Sequence, residues 1–377
     1  MIPQKIFEET LLEFLAPVRH FLADPSVSEV MINGPNQVFI ERSGKLELTD
    51  AKFPSEASMV AALRNAAQFV GKHVDELNPI LEGRLPDGSR LQGMLRPIAT
   101  MGPYIAIRRF FQSKLSLDHL VQSGSLSRLA AETITVMVQS KLNMMVAGGT
   151  GTGKTSLLNL LTSFIPLGER VGVIEDSKEI QVQHPHVFQL ESRKPDEEGR
   201  GEITIRELFR ASLRMRPDRI IIGEIRGGEA LDIIQAMVSG HGGCMGTLHA
   251  SYPRDTLTRL ETMAMMSDIE MPLLALRLQI ASGVQSIVQV GREPSGRRVV
   301  THISEVLGYD TESGKYEIAD IFRRKYSADP EQPSELVPTG IAPRFEEAVI
   351  EHGGQLPAAL CAAIAAQQRG EHAASSH

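Results

Sequence analysis

Residues 143–161 constrain this chain more tightly than any other stretch. Asn143-Met-Met-Val-Ala147 is an apolar run of strand length, and Leu157-Leu-Asn-Leu-Leu161 has the pattern of a buried helix. Between them stand Gly148, Gly149, Thr150, Gly151, Thr152, Gly153, Lys154, Thr155 and Ser156. A strand that turns into a helix across glycines can aim its backbone N–H groups inward, because no Cβ blocks them. Residues 148–155 fit G-x-x-x-x-G-K-[ST], the pattern in which those groups cradle phosphate oxygens. Lys154 then brings a point charge to the β- and γ-phosphates. The hydroxyl of Thr155 is placed to ligate Mg²⁺ where a helix over 155–164 begins and adds its own partial positive charge. The ligands expected are ATP and Mg²⁺.

A loop that grips phosphates needs a carboxylate to hold the metal's water shell and orient an attacking water. Glu224 closes the apolar strand 219–223 and is the first candidate, acting on Mg²⁺ through water. Glu175 and Asp176 close a second strand and come next, with helix capping as the competing role for all three. His249, two residues beyond Thr247, is placed to bond a phosphate oxygen or the catalytic glutamate and so to report the γ-phosphate. His241 stands eight residues before it, with Cys244 between, which is too few ligands at too irregular a spacing for zinc. Cys244 reads as a small packing residue. Arginines gather at Arg84, Arg90, Arg96, Arg108 and Arg109. A guanidinium delivered to the γ-phosphate from another domain or subunit couples hydrolysis to movement, and Arg90 and Arg108 are the residues assigned that task.

The 377 residues suffice for two or three domains, and a 42 % hydrophobic content supports well-buried cores. With 39 basic against 46 acidic side chains the net charge is −7, which argues against a nucleic-acid-coating protein, so no direct nucleic-acid contact is expected. Two cysteines, Cys244 and Cys361, build neither a disulfide framework nor a four-cysteine zinc site. No apolar run approaches the length of about eighteen residues that a membrane span needs, and the N-terminus lacks the basic-then-apolar order of a signal peptide. The expected location is cytoplasmic, with any membrane contact made through a partner.

Residues 1–110 read as an α+β unit. A helix over 6–15 is followed by strands at 28–33, 37–41 and 45–49, a helix at 55–70, and strands at 89–96 and 104–110. Residues 111–125 read as a linker. Over 126–325, apolar strands alternate with helical patterns, which predicts an α/β unit with a parallel sheet and ligands outside the carboxyl ends of its strands. Residues 326–377 form a C-terminal segment, Ala-rich over 356–366, whose last ten or so residues are expected to be disordered.

Four strings carry a family resemblance: residues 148–155, Arg170-Val-Gly-Val-Ile-Glu-Asp176, Arg214-Met-Arg-Pro-Asp-Arg-Ile-Ile-Ile-Gly-Glu-Ile-Arg226, and Thr247-Leu-His-Ala250. Together they resemble the secretion-superfamily ATPases of type II and type IV systems. Arg84-Leu-Pro-Asp-Gly-Ser-Arg90, Gly227-Gly-Glu-Ala-Leu-Asp232 and Pro253-Arg-Asp-Thr-Leu-Thr-Arg-Leu-Glu261 are most similar to the CpaF/TadA branch, which powers assembly of Tad pili. The resemblance implies a hexameric cytoplasmic ATPase in which an α+β N-terminal domain is hinged to a RecA-like P-loop NTPase domain. The implied location is peripheral to the inner membrane, through partner proteins, and the implied partner is an inner-membrane platform protein. It further implies nucleotide and Mg²⁺ binding by Gly151, Gly153, Lys154 and Thr155, catalytic or sensing roles for Glu175, Glu224 and His249, and γ-phosphate contacts from N-terminal arginines. The competing readings are a VirB-type conjugation ATPase and a nucleotide-controlled assembly factor that hydrolyses little.

Overall fold

The computed structural model describes residues 4–42, 44–109, 115–195, 198–327 and 333–375. The chain divides into two compact units, Met1–Ser113 and Lys114–His377.

The first unit contains α1 (Gln4–Phe14), α2 (Arg19–Ala23), β1 (Val27–Asn33), β2 (Val38–Arg42), β3 (Lys45–Leu48), α3 (Glu56–Phe69), β4 (Ile80–Arg84), β5 (Arg90–Met94) and β6 (Tyr104–Arg108). Its strands form an antiparallel sheet in the order β3-β2-β1-β6-β5-β4. Alternation sets which side is buried: Val30, Ile32, Leu91, Ile105 and Ile107 point to one face, where Leu11 and Leu15 of α1 and Met59 and Leu63 of α3 cover them. Ser55 starts α3 through a capping box with Ser58. Gly93 lets α3 approach β5, because a Cβ there would lie 2.3 Å from Leu63 Cδ2.

The second unit opens with α4 (Leu117–Gln122), α5 (Arg128–Gln139), β7 (Met144–Gly148), α6 (Lys154–Thr162), β8 (Val171–Glu175), β9 (Val187–Glu191), α7 (Ile205–Ser212) and β10 (Arg219–Ile222). It continues with α8 (Glu229–Val238), β11 (Met245–Leu248), α9 (Pro253–Ala264), α10 (Leu273–Gly283), β12 (Ser286–Arg292), β13 (Arg298–Asp310), β14 (Lys315–Lys325), β15 (Glu335–Pro338), α11 (Glu346–Glu351) and α12 (Ala358–Ser375). The sheet order is β15-β14-β13-β12-β7-β11-β10-β8-β9, parallel from β12 to β9. Strand β7 is buried on both faces. Met144 and Val146 enter one core with α5 and α6, while Met145 and Ala147 enter the other with α8, α9 and α10.

The structure departs from the sequence pattern in its last three strands, its linker and its C-terminal segment. The parallel sheet does not run throughout, because β13, β14 and β15 are antiparallel additions. Between β13 and β14 only Thr311–Gly314 intervene, with Asp310 Oδ1 accepting from the Glu312 N–H at 2.9 Å and Gly314 at φ +67°; so short a connection can join only antiparallel neighbours. The stretch read as a linker, 111–125, contains α4, whose first turn Ser116 caps by accepting from the His119 N–H at 3.1 Å; residues 111–114 lie outside the described residues. The C-terminal segment joins the core of the second unit. Strand β15 completes the sheet, and Phe345, Val349, Leu356, Leu360 and Ile364 are buried in the core shared with α5 and α6. Helix α12 carries the chain to Ser375, through most of the tail expected to be disordered, and residues 376–377 lie outside the described residues.

Leu360 is fully buried, so Leu360→Ala should cost roughly 2–5 kcal/mol of stability in urea unfolding. A loss below about 0.5 kcal/mol, the size typical of surface substitutions, would contradict a core role for this segment.

Candidate nucleotide-binding site

Strand β7 ends at Gly148 and α6 begins at Lys154, so the turn between them is made by residues 149–153. Gly148 sits where a Cβ would lie 2.5 Å from Val290 O and 2.7 Å from Thr152 Oγ1. Gly151 and Gly153 hold φ of +70° and +92°, in the region that favours glycine. Thr152 Oγ1 donates to Gly149 O at 2.8 Å, and Lys154 Nζ donates to the same carbonyl at 2.9 Å, which staples the loop around the ammonium. Lys154 is buried, Thr155 half-buried and Ser156 exposed on the first turn of α6. A glycine turn with a buried lysine and a nine-residue helix opening behind it fits a phosphate chain, and Thr155 is the hydroxyl able to meet its Mg²⁺.

The tips of the neighbouring strands complete the site. Register places Leu248 of β11 beside Ala147, so His249 follows level with the start of the loop. Thr247 Oγ1 donates to Gly223 O at 2.6 Å, and the Ile225 N–H donates to Thr247 O at 2.8 Å; these bonds fix the segment carrying Glu224 against β11. His249 Nε2 lies 2.8 Å from Glu224 Oε1, and its Nδ1 lies 3.4 Å from Lys154 Nζ. An ammonium can only donate, so Nδ1 is the lone-pair nitrogen and Nε2 carries the proton that goes to Glu224. Partial burial, then the Lys154 charge, hold the imidazole below its usual pKa against the opposing pull of Glu224. The other Glu224 oxygen takes a hydrogen bond from Arg226, whose guanidinium also lies 3.7 Å from Asp176 Oδ2. That hydrogen bond to Glu224 is the main reason the Arg226 pKa is raised. The result is an unbroken polar line, Lys154, His249, Glu224, Arg226, Asp176, across the carboxyl ends of four strands.

The capping role weighed for Glu224 belongs to Glu229, which accepts from the Arg226 and Gly227 N–H groups at 2.7 and 2.9 Å. Glu175 does bind backbone: its Oε1 accepts from the Glu179 and Ile180 N–H groups, both at 2.9 Å, and tethers the turn after β8. Gly223 makes room for this carboxylate, since a Cβ there would lie 2.8 Å from Glu175 Cγ. Asp176 Oδ1 accepts from Ser192 Oγ at 2.9 Å. His241 and His249 stand at opposite ends of β11, and no cluster of metal-ligating side chains occurs among the described residues. Cys244 is buried, which pushes its thiol up to about 12, as befits a packing residue.

Arg90 and Arg108 lie in the first unit, directly opposite one another on β5 and β6; Arg84 continues the row on β4 and Glu29 on β1. Arg108 Nε is 3.7 Å from Glu29 Oε1. Arg109 is occupied with the carbonyls of Asp24 and Val27, and Arg96 with Thr100 O and Glu56. Sequence reasoning assigned no role to Arg226 or Gly223. Their signal is positional: an arginine two residues past a strand-end glutamate, and a glycine where an otherwise β-branched strand ends.

A glycine turn on the central strand of a mixed α/β sheet, with a strand-end glutamate held by histidine and arginine, has the geometry of a P-loop nucleotide site. Residues 12–306 match the family model described as type II/IV secretion system protein, and the chain belongs to that family, which comprises secretion ATPases. It is 33 % identical over 289 residues to the conjugal transfer protein TrbB of Rhizobium radiobacter, covering 75 % of this chain and 85 % of TrbB. It is 31 % identical over 322 residues to the type IV secretion system protein VirB11 of Brucella suis, covering 78 % and 88 %. The X-ray structure of the Legionella pneumophila ATPase DotB shares its fold, with a TM-score of 0.55 at 20 % identity over 80 % of this chain and 82 % of that one.

Burial pushes the Glu175 carboxyl up to about 7 from 4.5, although its two backbone hydrogen bonds pull the other way. Its folded-state pKa is thus above the unfolded one, so its contribution is fully present below pH 4.5 and is lost as pH rises through about 7. Relative to Glu175→Gln, which has no such proton, the wild type should lose unfolding free energy between pH 5 and pH 8; a difference independent of pH would contradict this.

Proposed function

We propose that this chain is an ATP-hydrolysing motor of the CpaF/TadA branch, working as a homo-hexamer against an inner-membrane platform protein to assemble a pilus or secrete protein. The observation that carries the reading is the line from Lys154 through His249 to Glu224, which joins a phosphate-cradling loop to a strand-end carboxylate. In this mechanism Gly151, Gly153 and the α6 N-terminus position the phosphates, and Lys154 neutralises their charge. Glu224 accepts the proton of the attacking water, while His249 and Arg226 fix the carboxylate's orientation. Thr155, and Glu224 through water, would hold Mg²⁺, which would offset charge building on the phosphate oxygens. Glu175 anchors the neighbouring turn close to the same strand ends.

His249 acts as the sensor. Lys154 exchanges its contact with Nδ1 for phosphate oxygens, and the imidazole passes that change to Glu224. Arg90 and Arg108 are the arginines assigned to the γ-phosphate, of the same or of a neighbouring subunit. Their support is the row they share with Arg84 across β4, β5 and β6, which places three guanidinium groups in register. No helix among the described residues is long and apolar enough to cross a membrane; in this reading the enzyme is cytoplasmic and is held at the inner membrane by its partner.

A second reading, a VirB-type conjugation or type IV secretion ATPase, is favoured by the names of the relatives TrbB and VirB11. Affinity capture of the membrane partner separates the two readings: a pilus platform protein supports the first, a conjugation-channel component the second.

Glu224→Gln should lower kcat for ATP by about 10²–10⁴, the usual worth of a general base, while ATP still binds. Wild-type turnover no higher than background would sink the motor reading and leave a nucleotide-controlled assembly factor.

A further inference from the structure

The hairpin between β12 and β13 brings Arg297 and Arg298 side by side, and their side chains meet different fates. Arg297 is neutralised: its Nε and Nη2 lie 2.8 and 3.1 Å from the two oxygens of Glu293, and Nη2 also donates to Ser334 Oγ at 3.1 Å. Arg298 is exposed, and its guanidinium has no ion pair or hydrogen bond among the described residues. Its stem runs over the phosphate loop, with Cδ 3.5 Å from where a Cβ on Gly153 would stand.

Both the loop and the hairpin are held in place. Val290 of β12 pairs with Gly148, and its carbonyl closes so tightly on that glycine that no side chain fits between them. The Arg298 carbonyl accepts from Ser125 Oγ at 2.7 Å. Buried Arg324 ties the surrounding backbone together, donating to Val300 O at 2.8 Å, Gly124 O at 3.1 Å and Ser125 O at 2.8 Å. A rigid backbone thus presents a cation without a counter-ion beside a turn shaped for phosphate. The hairpin's own carboxylate, Glu293, is already committed to Arg297.

From this geometry we propose that Arg298 is a nucleotide-binding residue, a second cation supplied by the same chain to the phosphates that ATP and ADP share. The proposal rests on the nucleotide reading above. It places Arg298 apart from Arg90 and Arg108: those are assigned to the γ-phosphate, whereas a side chain whose stem passes Gly153 serves diphosphate and triphosphate alike. Arg298 therefore contributes uniform binding and does not select the transition state.

Calorimetric titration of the full chain with Mg·ATP and with Mg·ADP tests this. Arg298→Ala should weaken both by about tenfold, the scale of one charge-assisted contact, and Arg298→Lys should restore part of the loss. Affinities of Arg298→Ala within about twofold of wild type for both nucleotides would overturn the proposal. So would a Lys variant as weak as the Ala variant, which would point to planar stacking on the base. Failure of the wild type to bind either nucleotide would overturn the phosphate-loop reading itself.

Discussion

Strand β7 pairs in parallel with β11 on one side and β12 on the other, and the site depends on this double pairing. Burial on both faces fixes its register, since a one-residue slip would exchange Met144 and Val146 with Met145 and Ala147 between two differently shaped cores. Once the register is fixed, the tip of β7 is fixed as well. His249 then emerges beside the phosphate loop from β11, and Val290 closes against Gly148 from β12. Neither neighbour is adjacent to β7 in sequence. The loop's surroundings are a product of sheet order.

Charge is arranged along the strand tips in alternation: the ammonium of Lys154, a neutral imidazole, the Glu224 carboxylate, the Arg226 guanidinium and the Asp176 carboxylate. Each group faces a partner of opposite sign or a neutral relay, so the line can sit in a partly buried place without an uncompensated charge. In the proposed mechanism the neutral member is what lets the line respond. An imidazole held below its usual pKa keeps one nitrogen as donor and the other as acceptor, and a change at one contact is felt at the other. Glu229 supports this arrangement from outside by taking the backbone N–H groups of Arg226 and Gly227, leaving Glu224 to its side-chain partners.

The phosphate loop was legible because its chemistry is local: glycines, lysine and threonine at fixed spacing between a strand and a helix. The strand ends Glu175, Glu224 and His249 were legible as positions, whereas the contact of His249 with Glu224 depends on strands that are distant in sequence lying side by side. Arg226 and Gly223 escaped notice for that reason. The antiparallel β13–β15 extension had a signal in Asp310-Thr-Glu-Ser-Gly314, a turn too short for a crossover. The C-terminal segment had one too, in Leu356, Leu360 and Ile364 at helical spacing, which the surrounding alanines obscured. The arginines at 84, 90 and 108 look scattered along the chain and become a row only when the register of β4, β5 and β6 is known.

If His249 relays between the phosphate loop and Glu224, removing its ring should disable chemistry and spare binding. Turnover and ATP affinity of His249→Ala, measured on the same preparation, address this most directly. The account predicts that kcat falls by about 10²-fold or more while the Kd for ATP moves by less than about threefold. Unchanged turnover, or affinity lost in the same proportion as turnover, would contradict it.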